Sequence, residues 1–345
     1  MRGVFNFFVA LFIVFSFASC QSYRTIGIEM FQPASITFPP DIRTVMIIDN
    51  AVQQPDDFGH QLLYFQNQDS TLSIPADSMA YYFCLSLGKA IAGSPLFDDV
   101  RLCEDTLRYD TDFYLSQPFT SRKVQSLCDA YQVDALISLD KLIFKTVLLF
   151  KNTYTYSDWN ILSVEVAGEL KAVWPEINKA FTIPFVDSLI WSLDYYTTEP
   201  FSVQDIQYCM RYLSEYVAQN MHVHFVPHWV SDERWFYTSI YADWKRATAY
   251  AAAEKWELAA NSWLPLFEKT NKKSQKARLA SNLALVHEMN GDFMKALAYA
   301  EIAYSIVKEI TAEDDKYRNM QRKYLELLTK RLEDDQKLSE QLGER

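Results

Sequence analysis

Three histidines fall close together near the middle of the chain, in His222-Val-His224-Phe-Val-Pro-His228. In an extended segment, residues two apart point the same way, so His222 and His224 could share a zinc ion with His228. The segment follows an apolar-striped helix and runs into proline, and no neighbouring carboxylate completes a ligand set. Packing at a junction is therefore preferred, and no metal is assigned. Asp56-Asp57, Asp98-Asp99 and Glu104-Asp105 are paired carboxylates. Such pairs run acid–base chemistry only when their environments push their pKa values apart; in an acidic chain they read as solvated loops. With 8 glycines, none spaced as a Walker or dinucleotide loop, no nucleotide cofactor is expected. There is no G-x-S-x-G and no H-E-x-x-H, so no enzyme activity is assigned. Tyr81-Tyr82-Phe83 and Trp235-Phe236-Tyr237 could stack on sugars, but inside regular elements they read as core and junction packing.

The formal charge of −11 comes without any Lys/Arg cluster able to displace phosphate counterions, which excludes nucleic acid as an expected partner. The remaining chemistry is at the amino end. Arg2 precedes an apolar run over residues 4–17, too short to span a bilayer comfortably and suited to a signal-peptide core. Phe17-Ala18-Ser19-Cys20 resembles the lipobox of bacterial lipoproteins, with Phe17 where Leu is usual. The resemblance implies a signal peptide over 1–19, lipid on Cys20, and a membrane tether through it. A plain signal peptide or a short membrane anchor, with an incidental cysteine, is the alternative. The residues directly after Cys20, Gln21-Ser22-Tyr23-Arg24-Thr25, include no acid and no aspartate at position 21, which points to an outer-membrane anchor facing the periplasm. Cys84, Cys103, Cys128 and Cys209 form no C-x-x-C; buried thiols are preferred to disulfides.

The elements that must position these residues follow from periodicity. Residues 20–40, with Pro33, Pro39 and Pro40, read as a tether. Strands are expected at 44–49, 97–103 and 135–143, and helices at 73–92 and 121–131. Residues 161–174 alternate Leu162, Val164, Val166, Leu170, Ala172 and Trp174 with polar positions, the period-two pattern of a sheet, and 179–190 is its return strand. Ser202 with Asp205 opens a further helix in a capping-box arrangement. After Pro227 alanine becomes frequent and helical periodicity runs to the end. The class is therefore α+β: a two-layer α/β domain with a mixed sheet over 41–226, then an all-α domain over 227–345.

The α/β order resembles the small periplasmic domains at the amino end of TolB and in CsgG. In the helical part, Asn282-Leu283-Ala284, Gly291-Asp292-Phe293, Ala296 and Ala303 resemble a tetratricopeptide repeat, with a weaker copy at Ala247, Tyr250, Trp256, Ala259 and Leu266. That resemblance implies a groove lined by Arg278, Ser281, Leu285 and Glu288, and in the weaker copy by Tyr241, Trp244 and Thr248. As a whole the chain is similar to Bacteroidota lipoproteins of unknown function, which bring no activity with them. The leading expectation is a non-enzymatic lipoprotein that binds another protein through the helices. The second is a small-ligand or glycan-binding lipoprotein, which an aromatic shelf would favour; the third is a hydrolase, which convergent carboxylates in a pocket would favour.

Overall fold

The computed structural model describes residues 23–64, 70–105, 107–108, 110–117, 119–151, 159–177, 179–192 and 201–343. The expected signal peptide and Cys20 lie outside them. The chain is α+β, 46% helix and 26% strand. It divides into two compact units: Pro33–His228 with Leu338–Arg345, and Met1–Gln32 with Trp229–Lys337.

The first unit is a seven-stranded mixed sheet. Its centre is β6 (Ala135–Lys151), antiparallel along one edge to β7 (Trp159–Val173), which pairs in turn with β8 (Phe181–Ser192). The other edge of β6 is shared. Residues 135–139 take the parallel strand β2 (Thr44–Asp49), which carries β5 (Asp99–Leu102) on its far side, and residues 146–150 take the parallel strand β3 (His60–Tyr64) with β4 (Ser70–Thr71). Between them a side chain completes the ladder. Gln54 accepts from Phe144 N at 2.6 Å and donates to Phe144 O at 3.0 Å. Gly59 sits at φ +80°, with Phe144 O only 2.9 Å from where a Cβ would stand, so only glycine lets the chain re-enter the sheet there.

Val45, Met46, Ile47 and Ile48 are all buried, as a strand covered on both faces requires. Helices α1 (Met79–Ala92) and α3 (Val203–Met221) cover one face, burying Phe83, Leu87 and Ile91, and Ile206, Met210 and Leu213. The Ser202–Asp205 capping box forms as expected. Helix α2 (Ser121–Tyr131), capped by Thr120, packs Val124, Leu127 and Cys128 on Met46, Ile48 and Leu136, which belong to the opposite face. The four cysteines of this unit are buried and unpaired.

One expectation is corrected. The tether over 20–40 does not hold for its described part: β1 (Tyr23–Gln32) pairs with β9 (His228–Tyr237), and Ala34, Ile36 and Phe38 are core residues of the α/β unit. The prolines misled; Ile26, Ile28 and Met30 already alternate with polar positions at the strand period. After residue 227 the chain first adds β9, and the expected all-helical region follows from Ala242.

The second unit then runs through α4 (Ala242–Ala252), α5 (Trp256–Lys269), α6 (Lys273–Met289), α7 (Phe293–Ile310) and, as far as Lys337, α8 (Lys316–Leu342). Leu279, Leu283 and Val286 of α6 join Phe236, Tyr237, Trp244 and Trp263, while Ala284 faces Ala296, Ala300, Tyr324 and Leu328. Helix α6 is thus buried on nearly every side. Asn282 repeats the device seen at Gln54: it accepts from Tyr237 N at 2.7 Å and donates to Tyr237 O at 2.9 Å. No helix among the described residues is long and apolar enough to cross a membrane.

Candidate functional site

The groove inferred from the repeat pattern is not on the surface. Trp244, Ser281, Leu285 and Glu288 are no more than 2% exposed, and Thr248 is 8% exposed. Trp244 donates its indole N–H to Tyr237 O at 2.9 Å. Arg278 is half-buried over the rings of Tyr237 and Tyr317, at 5.6 and 5.9 Å. Glu288 is the counterion of buried Arg234. Of the seven, only Tyr241, at the N-cap of α4, stands in solvent. The physical reason is that α6 is a central helix, and a repeat's inner helix can line a groove only where no further layer covers it.

The histidines are divided too. His222–His224 form a 3-10 turn, not a strand. His222 and His228 meet edge to face at 5.9 Å, while His224 Nδ1 faces Ser35 Oγ at 2.9 Å. Burial holds the His224 and His228 imidazoles below their ordinary pKa. No group of three His, Cys, Asp or Glu among the described residues is placed to hold a metal.

The geometry that does gather chemistry lies at the carboxyl end of β2, where ligands of open α/β sheets characteristically sit. β2 ends on Asp49, and β6 beside it carries a bulge at Asp140. Asn50 N donates to Leu139 O at 2.9 Å, and Asn50 Nδ2 to Asp140 Oδ1 at 3.1 Å. Ser138 Oγ donates to the same oxygen at 2.7 Å, while Lys171 Nζ lies 2.8 Å from Asp140 Oδ2 and 3.0 Å from Glu169. Ser116 Oγ bonds both Lys171 and Asp140. A Ser–Lys pair invites a nucleophilic reading, but such a lysine must be neutral to act as base. Burial pulls the Lys171 amine down, and its bonds to Asp140 and Glu169 outweigh that, holding it above its ordinary pKa. It is a fixed cation, and the cluster fixes the bulge.

Beside this cluster is a cavity of about 200 Å³, walled by Asp49, Gln53 and Gln54, by Leu142 and Phe144 of β6, and by the first turn of α1 from Ser78 to Tyr81. Asp49 is the only carboxylate on that wall among the described residues. It accepts Ala51 N at 3.1 Å, yet burial pushes it up to about 6, against that bond. A perturbed acid in a cleft marks a candidate site. Ser78 holds φ 64°, a left-handed conformation rare outside glycine, and caps α1 with no side-chain bond. Strain of this kind collects at ligand sites.

Tyr81 lines the cavity and is nevertheless 49% exposed. It stands edge-on to Tyr82 at 5.6 Å, and the Arg211 guanidinium carbon lies over the Tyr82 ring at 3.6 Å. From there α3 carries Tyr208, Tyr212 and Tyr216, four residues apart and all exposed, with Trp191 of β8 against Tyr212 at 6.3 Å. The result is an aromatic shelf beginning at the cavity mouth. The sequence assigned Tyr81 to a core; helix phase instead puts Phe83 and Cys84 inward and Tyr81 outward. In the sequence Asp49 is only the last residue of a strand, since nothing in its type foretells desolvation.

A larger open basin, about 490 Å³, lies at the opposite, amino ends of β2 and β6 and holds Asp41, Asp129, Asp134 and Glu176. Asp134 there is already committed: it accepts Arg43 N, Thr44 N and Thr44 Oγ1 at 2.7–2.9 Å.

A family model matches residues 42–237, more than half of the chain, and so spans Asp49, Tyr81, Asp140, Lys171 and the tyrosines of α3. The chain belongs to this family, described as Domain of unknown function (DUF8603). A second model, Domain of unknown function (DUF6340), matches residues 245–330. No curated protein matches the chain. A solved structure described as "Crystal structure of uncharacterized protein" is similar at 12% identity over 55% of this chain and 97% of its own, with a TM-score of 0.26. That likeness is too low to carry an argument. The candidate cavity and its shelf thus lie wholly within the DUF8603 segment, and the buried former groove residues from Thr248 onward within the DUF6340 segment.

Proposed function

We propose that this protein is a membrane-anchored envelope lipoprotein, held through lipid on Cys20 and facing the periplasm, whose α/β unit binds a small glycan without transforming it. The observation that carries the reading is Tyr81: half in solvent, at the head of a tyrosine shelf, and at the same time part of the wall of the cavity that holds Asp49. Sugar rings present apolar C–H faces that stack on aromatic rings, and hydroxyl edges that need a buried acceptor. Asp49 supplies the acceptor and Tyr81 the face. A cavity of about 200 Å³ holds roughly seven waters' worth of liquid volume, the scale of one sugar ring rather than of a peptide.

Binding without turnover is preferred because the wall offers one carboxylate, not two. Glycoside hydrolysis needs a pair flanking the scissile bond, and Asp140 is turned away to Lys171. A protein-binding groove on the helices loses its support with the burial of its lining.

Two experiments test the reading. Intact mass of the mature protein reads whether Cys20 carries lipid; an unmodified Cys20 removes the anchor. Saturation-transfer NMR with a panel of neutral and N-acetylated mono- and disaccharides reads the site. A responding sugar whose signal is lost in Tyr81→Ala supports it; a panel that gives no signal, or a signal indifferent to both Tyr81→Ala and Asp49→Ala, rejects it.

A further inference from the structure

The helical unit has a second feature, unrelated to the glycan site. A cavity of about 520 Å³ is lined by Tyr23, Arg24, Thr238, Ser239, Lys245 and Thr248, with no carboxylate among its lining residues. Arg24 and Lys245 are exposed, and neither has an ion-pair partner among the described residues. The lining thus carries two cations and no anion, on a chain of net charge −11. Directly after Ser239 come Ile240 and Tyr241, 75% and 60% exposed, the former more open than any other large apolar side chain described. Tyr241 serves α4 through its backbone, its carbonyl accepting Lys245 N at 2.9 Å, while its ring stands in solvent.

We propose that this basic mouth and its Ile240–Tyr241 tip are a membrane-contact surface that seats the helical unit on anionic phospholipid. The occupant follows from chain length. Tyr23 is the third residue after Cys20, and three residues reach at most about 11 Å. If Cys20 is lipidated, on which the geometry rests, Tyr23 stands within about one Debye length of the headgroups. The residues beside it are then forced to meet the bilayer surface. They have the composition that surface favours: a tyrosine and an isoleucine to enter the headgroup layer, and two unpaired cations beside them. Each such cation favours an anionic surface roughly fivefold. Asp243, the nearest acid in sequence, is drawn to Arg246 at 3.7 Å and leaves Lys245 its charge. The lipid supplies affinity and the patch supplies orientation.

The test separates this surface from the anchor reading. The mature chain from Cys20 onward is made without lipid, and Cys20 is coupled to a maleimide phospholipid in vesicles of phosphatidylethanolamine and phosphatidylglycerol; the four other cysteines are buried. The comparison sample is coupled to soluble maleimide-polyethylene glycol. Hydrogen–deuterium exchange over residues 238–243 is expected to slow several-fold on the vesicles, and exchange over α3 to stay unchanged. The protection should be largely lost in an Arg24→Glu/Lys245→Glu double variant whose circular dichroism matches the parent, and on pure phosphatidylcholine. Equal exchange in the two couplings overturns the proposal, and so does protection that survives both charge reversal and neutral lipid. Because the coupling is chemical, a native Cys20 found without lipid refutes the anchor and leaves this result to judge the surface.

Discussion

Glu288 receives Arg234 Nε through both carboxylate oxygens, at 3.0 and 3.1 Å, across 54 residues of chain and with both side chains closed to solvent. Tyr324 donates to the same carboxylate at 2.9 Å, and Asp232 takes a second guanidinium nitrogen at 2.5 Å. Removing one member of a buried pair leaves an uncompensated charge and costs about 3–5 kcal/mol. Glu288→Ala should lower the free energy of urea unfolding by that order. A double Arg234→Met/Glu288→Leu variant should recover part of it, since apolar replacement of a buried pair is often neutral or better, while Tyr324 and Arg331 lose Glu288 as a partner. A recognition role for Glu288 would give the opposite pattern: stability kept, binding lost.

Asp49 makes stability depend on pH in a direction opposite to the usual carboxylate. Its folded pKa is raised from 3.8 to about 6, chiefly by burial. Between those values the folded state holds a proton that the unfolded chain has released, so stability falls as pH rises from about 4 to 6 and stays low above. At about 1.4 kcal/mol per unit, the full effect is on the order of 2–3 kcal/mol. Asp49→Asn should therefore be near neutral below pH 4 and stabilising at pH 7, while weakening glycan binding. A variant less stable at pH 7 than the parent would show that the carboxylate is not desolvated.

Gln54 and Gly59 hold the gap in the ladder between β2 and β3. Gln54→Ala leaves the buried Phe144 amide and carbonyl without this partner, at about 1–3 kcal/mol for a buried unsatisfied group. Gly59→Ala meets both positive φ and Phe144 O. Both should lower the thermal midpoint by several degrees. A Gly59→Ala variant as stable as the parent would mean the loop relaxes.

What the sequence made legible were elements whose pattern is local. Leu162 to Trp174 alternates, Ser202 and Asp205 form their box, and Thr120 caps α2. What escaped were relations across the chain. Tyr23–Gln32 has a strand's alternation, but its partner, residues 228–237, lies about 200 positions away. Asn282 matched a repeat pattern, but its work is to pair with the Tyr237 backbone. Glu288 looks like a surface acid on a helix until Arg234 arrives from β9. The site escaped for the same reason: Asp49 and Tyr81 are 32 positions apart in sequence, and neither burial of the one nor exposure of the other is written in its neighbours.

The pairing of β1 with β9 sets a limit on dissection. A fragment beginning at Trp229 lacks β1, and leaves β9 with an open edge and Tyr237 without Tyr23 against its ring at 6.4 Å. Exposed unpaired strands invite association. Such a fragment should aggregate in analytical ultracentrifugation, and a version carrying residues 23–32 through a flexible linker should be monomeric. Equal behaviour of the two would make β1 dispensable.

The most direct test of the glycan reading is isothermal titration of the sugar that responds best by NMR, on the parent protein and on Tyr81→Ala. Aromatic contacts of this kind contribute about 0.5–1.5 kcal/mol beyond their area. With the buried ring face included, Tyr81→Ala should weaken binding roughly tenfold or more. Because the side chain is half in solvent, the unfolding free energy should stay within about 0.5 kcal/mol of the parent, as for other surface changes. Unchanged affinity in a folded Tyr81→Ala variant would contradict a site built on Tyr81 and Asp49.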